Sequence, residues 1–552
     1  MADTRPIGKR PLLKWDNVGG FLCDWHLAGP FDAGLAVNAS AYLFEPKSSE
    51  AWTRDHLSPL GGCACIRGVP AAAWRGGARP RWTWQVLPLD WYPELLLREA
   101  ALHYPAWKER LAGVNTDRWD KLYYALALVE SPATAPAELV FCGWDGCRLW
   151  VNGRPAFEEH SYHHAVFDKE RVAFRLRRGV NSFLFQLDRD GIIARVATPS
   201  DRRLLPRLRS VRVGEAPAPS RVGTVIALRR HAASLRPAKA FCGRTPAALR
   251  LWQRGFARHF RRCLGPVPPD WPVAAAPRLV GEVRRDGYVQ RRYHLPAEHG
   301  TVVPAYVLVP DAERFNGRTL VIAHGHESHF EGVSGADNRP TDPHSPFRNY
   351  GQRLAQKGFL VAVACERAFS ERNDNYLHAD ACNVAHAMAQ AMGLTLPRLH
   401  ILDLQRLLAC VVRLPPCDAR RVGLTGLSGG GTLSYLAPAF DRGFRAAGVF
   451  CGMCRYQDFA AGLNGCGMQV VPGLYPAGDV GEVLSLIAPR PLLLAQGTLD
   501  STFNLIRFRS IAADARRAWR AAGVPERLEV AEYPRPHQFD PDIATRFFEK
   551  WL

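Results

Sequence analysis

Residues 421–440, RVGLTGLSGGGTLSYLAPAF, place Ser428 between a short apolar strand pattern and a helical pattern. Gly426 and Gly430 lie two residues to either side, where small residues let a strand and a helix approach each other closely. A helix that begins at Gly429 directs its first N–H groups toward the serine, where they can stabilise a negatively charged oxygen. The stretch therefore predicts a nucleophile elbow, a strand–turn–helix that presents a reactive serine hydroxyl.

The chain around this stretch alternates between strand and helix patterns from about residue 278 onward. Strands are predicted at 287–296, 301–309, 318–324, 359–365, 420–426, 446–451, 490–496 and 527–533. Helices are predicted at 347–357, 398–413, 429–439, 503–522 and 540–551. Such alternation favours an eight-stranded, mostly parallel sheet with helices on both faces, and the close spacing of the first two strands favours an antiparallel start.

A serine nucleophile needs a base, and the base needs an acid that orients it. In sheets with such an elbow the chain order is serine, acid, histidine. Asp500 follows the seventh predicted strand and His537 follows the eighth, both at the carboxyl edge of the sheet, where ligands bind. We therefore predict the catalytic triad Ser428–Asp500–His537. Asp500 as a helix cap and His537 as a surface histidine are the alternatives, and Asp540 and Glu532 are the rival acids.

The second donor to an oxyanion is expected in the loop after the third strand, within LVIAHGHESHF at 320–330. We predict that the backbone N–H groups of Gly429 and His326 form the oxyanion hole. His324, His326 and His329 also suggest zinc, but spacings of two and three residues on an irregular loop are a weak zinc pattern. No metal and no cofactor is therefore predicted.

Long polar loops follow the third, fourth and sixth strands, at the edge where the site is expected. Glu366 and Arg367 follow the fourth strand and are predicted to contact the substrate. The alternative is that both side chains hold the loops together through salt bridges.

Residues 1–200 predict an antiparallel β-sandwich with short strands and tight turns. AELVFCGWDGCRLWVNGRPAF predicts two strands joined by a turn at Asp145–Gly146, with a second turn at Asn152–Gly153. RVAFRLRRGVNSFLFQLDR predicts a further hairpin, and a helical pattern interrupts the strands at 93–111. The Pro-, Ala- and Arg-rich segment 201–245 predicts a basic linker or an extended wrap.

An amphipathic helix is predicted at 246–265, PAALRLWQRGFARHFRRCLG, at the start of the catalytic domain assigned to 246–552. Its apolar residues recur at spacings of three and four and form one stripe. The stripe consists of Leu249, Trp252, Phe256, Phe260 and Cys263.

The net charge of +19 comes mainly from residues 201–262, which contain 16 Lys or Arg and two acidic residues. This segment lacks the interleaved aromatic residues of a single-strand groove, so no nucleic-acid partner is predicted. No apolar run reaches the roughly 18 residues of a membrane span. The first residues lack the apolar segment of a secretory signal, so no membrane partner and a cytoplasmic location are expected. The pattern does not indicate an oligomeric state.

The fourteen cysteines are scattered, which favours buried reduced thiols over a disulfide scaffold. Cys63 with Cys65 and Cys451 with Cys454 are spaced closely enough to bind a metal or to form a cross-link, and this stays the alternative.

The second half of the chain, 246–552, resembles bacterial serine esterases of the α/β-hydrolase superfamily, akin to dienelactone hydrolases and acetyl xylan esterases. The matching stretches are VIAHGH, GLTGLSGGGTLSYLAPAFDRGFRAAGVFCG, LSLIAPRPLLLAQGTLDSTF and PHQFDPDIATRFFEKWL. This resemblance implies hydrolysis of carboxylic esters, often of acylated carbohydrates. The cysteine nucleophile of true dienelactone hydrolases is absent, which argues against that reaction.

The first half resembles the galactose-binding-like β-sandwich modules attached to bacterial hydrolases, through WHLAGPFD, GWDGCRLWVNGR and LRRGVNSFLFQL. Trp144 and Trp150 would be either a sugar-binding platform or, as we favour, part of the core. The expected activity is that of a serine esterase acting on a small acyl ester of a carbohydrate-like alcohol. The alternatives are a prolyl-oligopeptidase-like peptidase, for which no propeller repeat is visible, and a non-catalytic carbohydrate-binding protein.

Overall fold

A computed structural model of the 552-residue chain provides the fold. It describes residues 6–11, 20, 22, 24–32, 83–86, 121–143, 147–159, 170–187, 192–201, 203–213, 228, 231–232, 234–271, 273, 276–326, 329–337, 349–373, 381–456, 466–498, 500, 503, 505–535 and 537–552. The chain forms two compact units, Met1–Leu228 and Arg229–Leu552.

The first unit is built from antiparallel β-strands. They are β1 (Pro6–Pro11), β2 (Asp24–Asp32), β3 (Thr83–Val86), β4 (Lys121–Ser131), β5 (Ala135–Gly143), β6 (Cys147–Val151), β7 (Arg154–Glu159), β8 (Glu170–Leu176), β9 (Gly179–Leu187), β10 (Ile192–Ala197) and β11 (Arg209–Val213). One sheet has the order β1-β11-β4-β9-β6-β7, with β2 paired to β4 and β3 paired to β2. A second sheet has the order β10-β5-β8.

The two sheets of this unit face each other across an aromatic core. Phe141 on β5 of the smaller sheet contacts Phe185 on β9 of the larger sheet, with ring centroids 5.3 Å apart. Trp25 on β2 packs against the same Phe185 ring at 6.0 Å. These edge-to-face contacts bury large apolar surfaces between the sheets, as a sandwich requires.

The predicted strands of this unit are present, but two predicted hairpins are wrong. Strand β5 pairs with β8 and β10, whereas β6 pairs with β7 and β9, so the chain crosses between sheets after β5. It crosses again between β8 and β9, where the buried Asn181 side chain donates to the carbonyl oxygens of Arg177 and Gly179. Alternating hydrophobicity predicts which face of a strand is buried but not which strand is its partner.

Of the other predictions for this part of the chain, one turn is confirmed, one segment forms a strand instead of a linker, and three features lie outside the described residues. The Asn152–Gly153 turn between β6 and β7 is confirmed, with φ of +51° and +77°. Residues Arg209–Val213, within the expected basic linker, form β11 and pair with β1 and β4. The predicted helix at 93–111, the turn at Asp145–Gly146 and Trp144 lie outside the described residues.

The second unit is organised around one mixed sheet. Its strands are β12 (Arg278–Arg285), β13 (Tyr288–Pro296), β14 (Val302–Pro310), β15 (Thr319–Ala323), β16 (Leu360–Ala364), β17 (Val422–Leu427), β18 (Ala446–Phe450), β19 (Leu492–Gly497) and β20 (Leu528–Tyr533). The order is β12-β13-β14-β16-β15-β17-β18-β19-β20, antiparallel from β12 to β16 and parallel from there on.

The sheet has nine strands, so the prediction of eight is wrong by one. The missed strand is β12, an edge strand whose first seven residues are all exposed. An edge strand without a buried face shows no clear alternation, so its sequence, RLVGEVRR, gave no strand signal. The antiparallel start and the parallel remainder are as predicted.

Helices cover the faces of this sheet. They are α1 (Pro246–Leu264), α2 (His329–Ser334), α3 (Tyr350–Gln356), α4 (Ala381–Ala391), α5 (Leu396–Val411), α6 (Gly429–Phe440), α7 (Val480–Ser485), α8 (Leu505–Ala522) and α9 (Pro541–Trp551). Helix α1 has the predicted stripe: Phe256 and Phe260 are buried, and the Trp252 ring stacks on Phe256 at 4.9 Å. No helix in the described part of the chain is both long and apolar enough to cross a bilayer.

Candidate active site

Ser428 stands in a strained turn between β17 and α6. Its φ of +61° and ψ of −125° are sparsely populated for a residue with a side chain, and such strain costs about 1–3 kcal/mol. Neighbouring contacts hold the turn in place, because the Ser428 N–H donates to the carbonyl oxygen of Phe450 at 3.0 Å and the Ser428 carbonyl accepts from the N–H of Thr432 at 3.0 Å. This backbone has the geometry of a nucleophile elbow.

The glycines of the elbow are required by direct backbone contact. A Cβ placed on Gly430 would stand 2.0 Å from the carbonyl oxygen of Ala323, at the end of β15. A Cβ on Gly426 would stand 2.3 Å from the same oxygen. The start of α6 therefore lies against the end of β15 at a separation that only glycine allows.

Asp500 and His537 meet at the carboxyl edge of the sheet, after β19 and β20. The Nδ1 atom of His537 lies 2.9 Å from Oδ2 of Asp500, and both side chains are buried. Asp500 is itself held by the Gln496 side-chain amide, which donates to Oδ2 at 2.8 Å, and by the Phe503 N–H, which donates to Oδ1 at 2.9 Å. Because a carboxylate only accepts hydrogen bonds, Nδ1 carries the proton and Nε2 is the basic nitrogen of the ring.

The two rival acids form contacts with residues other than His537. Asp540 caps helix α9, since its Oδ1 accepts from the N–H groups of Asp542 and Ile543. Glu532 lies on β20 and forms a salt bridge with Arg509 at 2.7 Å. Of these acids, Asp500 is the one that the structure brings to His537.

Cys451 also lies beside Asp500 and His537, a contact that no sequence pattern predicts. Its Sγ lies within 4.8 Å of the nearest ligand-type atoms of Asp500 and His537, and it accepts from the N–H of Gly497 at 3.4 Å. Burial raises the pKa of the Cys451 thiol, and the nearby Asp500 charge adds to this effect. The thiol is a neutral packing group of the site. Cys451 and Cys454 are both buried and form no disulfide, and Cys63 and Cys65 lie outside the described residues.

The loop after β15 brings His326 next to Gly429. A Cβ on Gly429 would stand 3.3 Å from Cε1 of His326 and 2.7 Å from Sδ of Met468. Gly429 is the first residue of α6, and the first N–H groups of a helix have no acceptor within the helix. His326 and Gly429, the two predicted oxyanion donors, are therefore neighbours.

His324 is a structural histidine of the same loop. It is fully buried; its Nδ1 lies 3.0 Å from the Gly325 carbonyl oxygen, and its Nε2 accepts from the Glu366 N–H at 3.0 Å. Both ring nitrogens thus contact backbone atoms. His324 is therefore not available as a ligand in the zinc site suggested for His324, His326 and His329.

His326 instead meets two cysteines from distant parts of the chain. Its Nε2 lies 3.1 Å from Sγ of Cys466, and the ligand atoms of His326, Cys382 and Cys466 all lie within 4.8 Å of one another. Hydrogen bonding from the Cys382 thiol, aided by the His326 ring, outweighs the opposing effect of burial and lowers the pKa of Cys466 to about 5. No sequence spacing connects these three residues.

Glu366, predicted as a substrate contact, is buried, and its backbone N–H donates to His324. Its side chain is only 4% exposed, and neither carboxylate oxygen has a hydrogen-bond partner among the described residues. Burial raises the pKa of Glu366 well above its usual range, and the charges of Asp403 and Cys466 raise it further. The carboxyl is therefore protonated under conditions in which an exposed glutamate is ionised.

Arg367, the second predicted substrate contact, belongs to a buried ion network. It donates to Glu298 and to Oδ1 of Asp403 at 3.0 Å. Arg372 and Arg406 also donate to Asp403, at 2.7 and 2.6 Å. Burial opposes ionisation of Asp403, but the three arginines outweigh it and hold the pKa of that carboxyl well below its usual range. These contacts agree with the loop-holding alternative for Arg367, and a substrate contact through Glu366 or Arg367 stays a prediction.

No protein-family model and no curated protein matches the chain. Among solved structures, a Bacteroides fragilis protein assigned as an acetyl xylan esterase is 15% identical over 60% of this chain and 90% of its own, with a TM-score of 0.48. A glucuronoyl esterase from Solibacter usitatus is 14% identical over 58% of this chain and 98% of its own, with a TM-score of 0.42. Acetyl xylan esterase 1 from Thermoanaerobacterium sp. is 17% identical over 59% of this chain and 98% of its own, with a TM-score of 0.36.

Replacement of Gly430 by alanine tests the close approach of α6 to β15. Because the new Cβ would stand 2.0 Å from the Ala323 oxygen, both elements must move, and we expect Gly430→Ala to lower the free energy of unfolding by at least about 2 kcal/mol. Gly255→Ala is the matched control: Gly255 is exposed on α1, and a Cβ added there would meet no atom of another part of the protein within 4 Å. This substitution should be neutral or stabilising by up to about 1 kcal/mol. Chemical unfolding measures both, and equal stabilities of the two variants would contradict the geometry.

Replacement of Glu366 by glutamine tests the raised pKa. Above about pH 4.5 the unfolded chain loses the Glu366 proton while the folded protein keeps it, so the wild type loses stability as pH rises toward the folded pKa. Glu366→Gln removes this loss of stability. The melting temperature of the variant minus that of the wild type should therefore increase from pH 5 to pH 8 in EDTA-containing buffer. Glu313→Gln, at an exposed carboxyl, should show no such trend, and the same flat profile for Glu366→Gln would contradict the assignment.

Proposed function

We propose that the protein is a serine carboxylic ester hydrolase that works through an acyl-enzyme. The observation that carries this proposal is the hydrogen bond between Nδ1 of His537 and Asp500 at the same sheet edge that presents Ser428 in its strained turn. A basic histidine, an orienting acid and a serine at a strand-to-helix turn are the groups that acyl transfer requires.

Each residue has one task in the proposed reaction. Oγ of Ser428 attacks the ester carbonyl carbon while Nε2 of His537 takes the hydroxyl proton, and Asp500 stabilises the imidazolium that forms. The backbone N–H groups of Gly429 and His326 stabilise the developing oxyanion. The alcohol leaves with the proton from His537, and a water molecule that His537 deprotonates then releases the acid and restores Ser428.

Substitutions in the proposed triad test the mechanism. We expect Ser428→Ala, His537→Ala and Asp500→Asn each to lower kcat for p-nitrophenyl acetate by about three orders of magnitude or more, with far-UV circular dichroism unchanged. Glu532→Gln is the matched control for Asp500→Asn, because it alters an acid of the next strand that is paired with Arg509. Near wild-type turnover in Ser428→Ala would reject the mechanism. Preferential cleavage of a peptide anilide would favour a peptidase with the same triad.

The proposed substrate is a small acyl ester of a polar, carbohydrate-like alcohol. The loops after β15, β16 and β18 are rich in His, Arg, Asn, Asp and Glu, which suits a polar alcohol. The side chains of Met468 and His326 crowd Gly429, because a Cβ placed there would stand 2.7 Å from Sδ of Met468 and 3.3 Å from Cε1 of His326. Such crowding favours a short acyl group.

A substrate panel tests this proposal. A tight acyl pocket discriminates one methylene by about 1–3 kcal/mol, so kcat/KM should fall steeply from acetyl to butyryl among p-nitrophenyl esters of about two to twelve carbons. Acetylated sugars should release acetate. Met468→Ala should flatten the dependence on chain length, because it removes the side chain closest to Gly429. Rates that rise with chain length, together with no release of acetate from any sugar, would favour a lipid-type esterase instead.

A further inference from the structure

The cluster of His326, Cys382 and Cys466 is not needed for the proposed ester hydrolysis. Its three ligand atoms come from the loop after β15, from α4 and from the segment that precedes Met468. Two thiol sulfurs and an imidazole nitrogen within 4.8 Å of one another form a donor set that suits borderline and soft metal ions.

We propose that His326, Cys382 and Cys466 bind one Zn²⁺ ion through Nε2 and the two sulfur atoms. Ligand distances of about 2.3 Å for sulfur and about 2.0–2.1 Å for nitrogen place the donor atoms of a tetrahedral zinc site about 3.5–3.8 Å apart. Nε2 of His326 and Sγ of Cys466 lie 3.1 Å apart, somewhat closer than this, and all three donor atoms lie within 4.8 Å of one another, so small side-chain rotations suffice.

The segments that carry the ligands are already tied to one another. The Gly467 N–H donates to Oδ1 of Asn383 at 2.8 Å, which links the neighbours of Cys466 and Cys382 directly. The His326 ring packs edge-on against Phe369, with centroids 5.0 Å apart. Ion binding therefore requires little ordering of the chain.

The chemistry of the donor atoms also suits a cation. Zn²⁺ would displace the protons of the Cys382 and Cys466 thiols and bind the neutral imidazole of His326, with its proton on Nδ1. The exposed His326 ring gives the ion a route of entry, and solvent completes the fourth coordination position.

The bound ion would connect three segments that are far apart in the sequence. Because a ligand that binds only the folded state stabilises it, Zn²⁺ should raise the melting temperature of the protein. This inference does not depend on ester hydrolysis, and its tests use no catalytic readout.

The test uses the full-length protein, reduced, stripped of metal with a chelator and desalted. Titration with Cd²⁺ should produce an ultraviolet sulfur-to-cadmium band that saturates at one equivalent, and Zn²⁺ should compete for the same site and raise the melting temperature. Cys382→Ser and Cys466→Ser should each weaken Cd²⁺ binding by at least about 100-fold and remove the stabilisation by Zn²⁺.

Cys263→Ser provides the matched control. Its Sγ lies 3.4 Å from Nε2 of His259 on α1, and this pair has no third potential ligand beside it among the described residues. This variant should bind Cd²⁺ as the wild type does. The proposal is overturned if the folded, reduced wild type shows no band at one equivalent, or if the band persists in both Cys382→Ser and Cys466→Ser with circular dichroism unchanged.

Discussion

The architecture of the site depends on the contact between the start of α6 and the end of β15. A Cβ added to Gly426 or Gly430 would stand only 2.3 or 2.0 Å from the carbonyl oxygen of Ala323. The helix therefore approaches the strand as closely as its backbone allows. This approach holds Ser428 at a positive φ and brings Gly429 beside His326, three residues after Ala323. One steric constraint therefore positions both the serine and the proposed oxyanion donors.

The parallel order of the sheet brings the other proposed catalytic groups to the same edge. Strands β17, β18, β19 and β20 are consecutive neighbours, so the residues that follow them emerge at one edge. The Ser428 N–H donates to the carbonyl oxygen of Phe450, the last residue of β18, and Asp500 after β19 contacts His537 after β20. Residues of different loops therefore lie close together because their strands are neighbours, as in other open α/β sheets.

Two buried carboxyl groups near this edge show how environment decides ionisation. Asp403 has arginine partners and is held as a carboxylate, whereas Glu366 has no hydrogen-bond partner among the described residues and is held as the neutral acid. The ion network around Asp403 fixes the loop that follows β16, and that loop in turn presents the Glu366 N–H to His324. The buried ion network is thereby linked through Glu366 to His324, in the loop of the proposed oxyanion donor His326.

The sequence alone determined the features that local sterics and periodicity encode. These are the elbow at Ser428, the alternation of strands and helices, the stripe of α1 and the chain order that singled out Asp500 and His537. Strand partners in the first unit, the ninth strand β12, the ion pairs of Arg367 and the meeting of His326 with Cys382 and Cys466 were decided only by the tertiary structure. They depend on contacts between residues far apart in the chain, and hydrophobic periodicity carries no information about which distant segment becomes a neighbour.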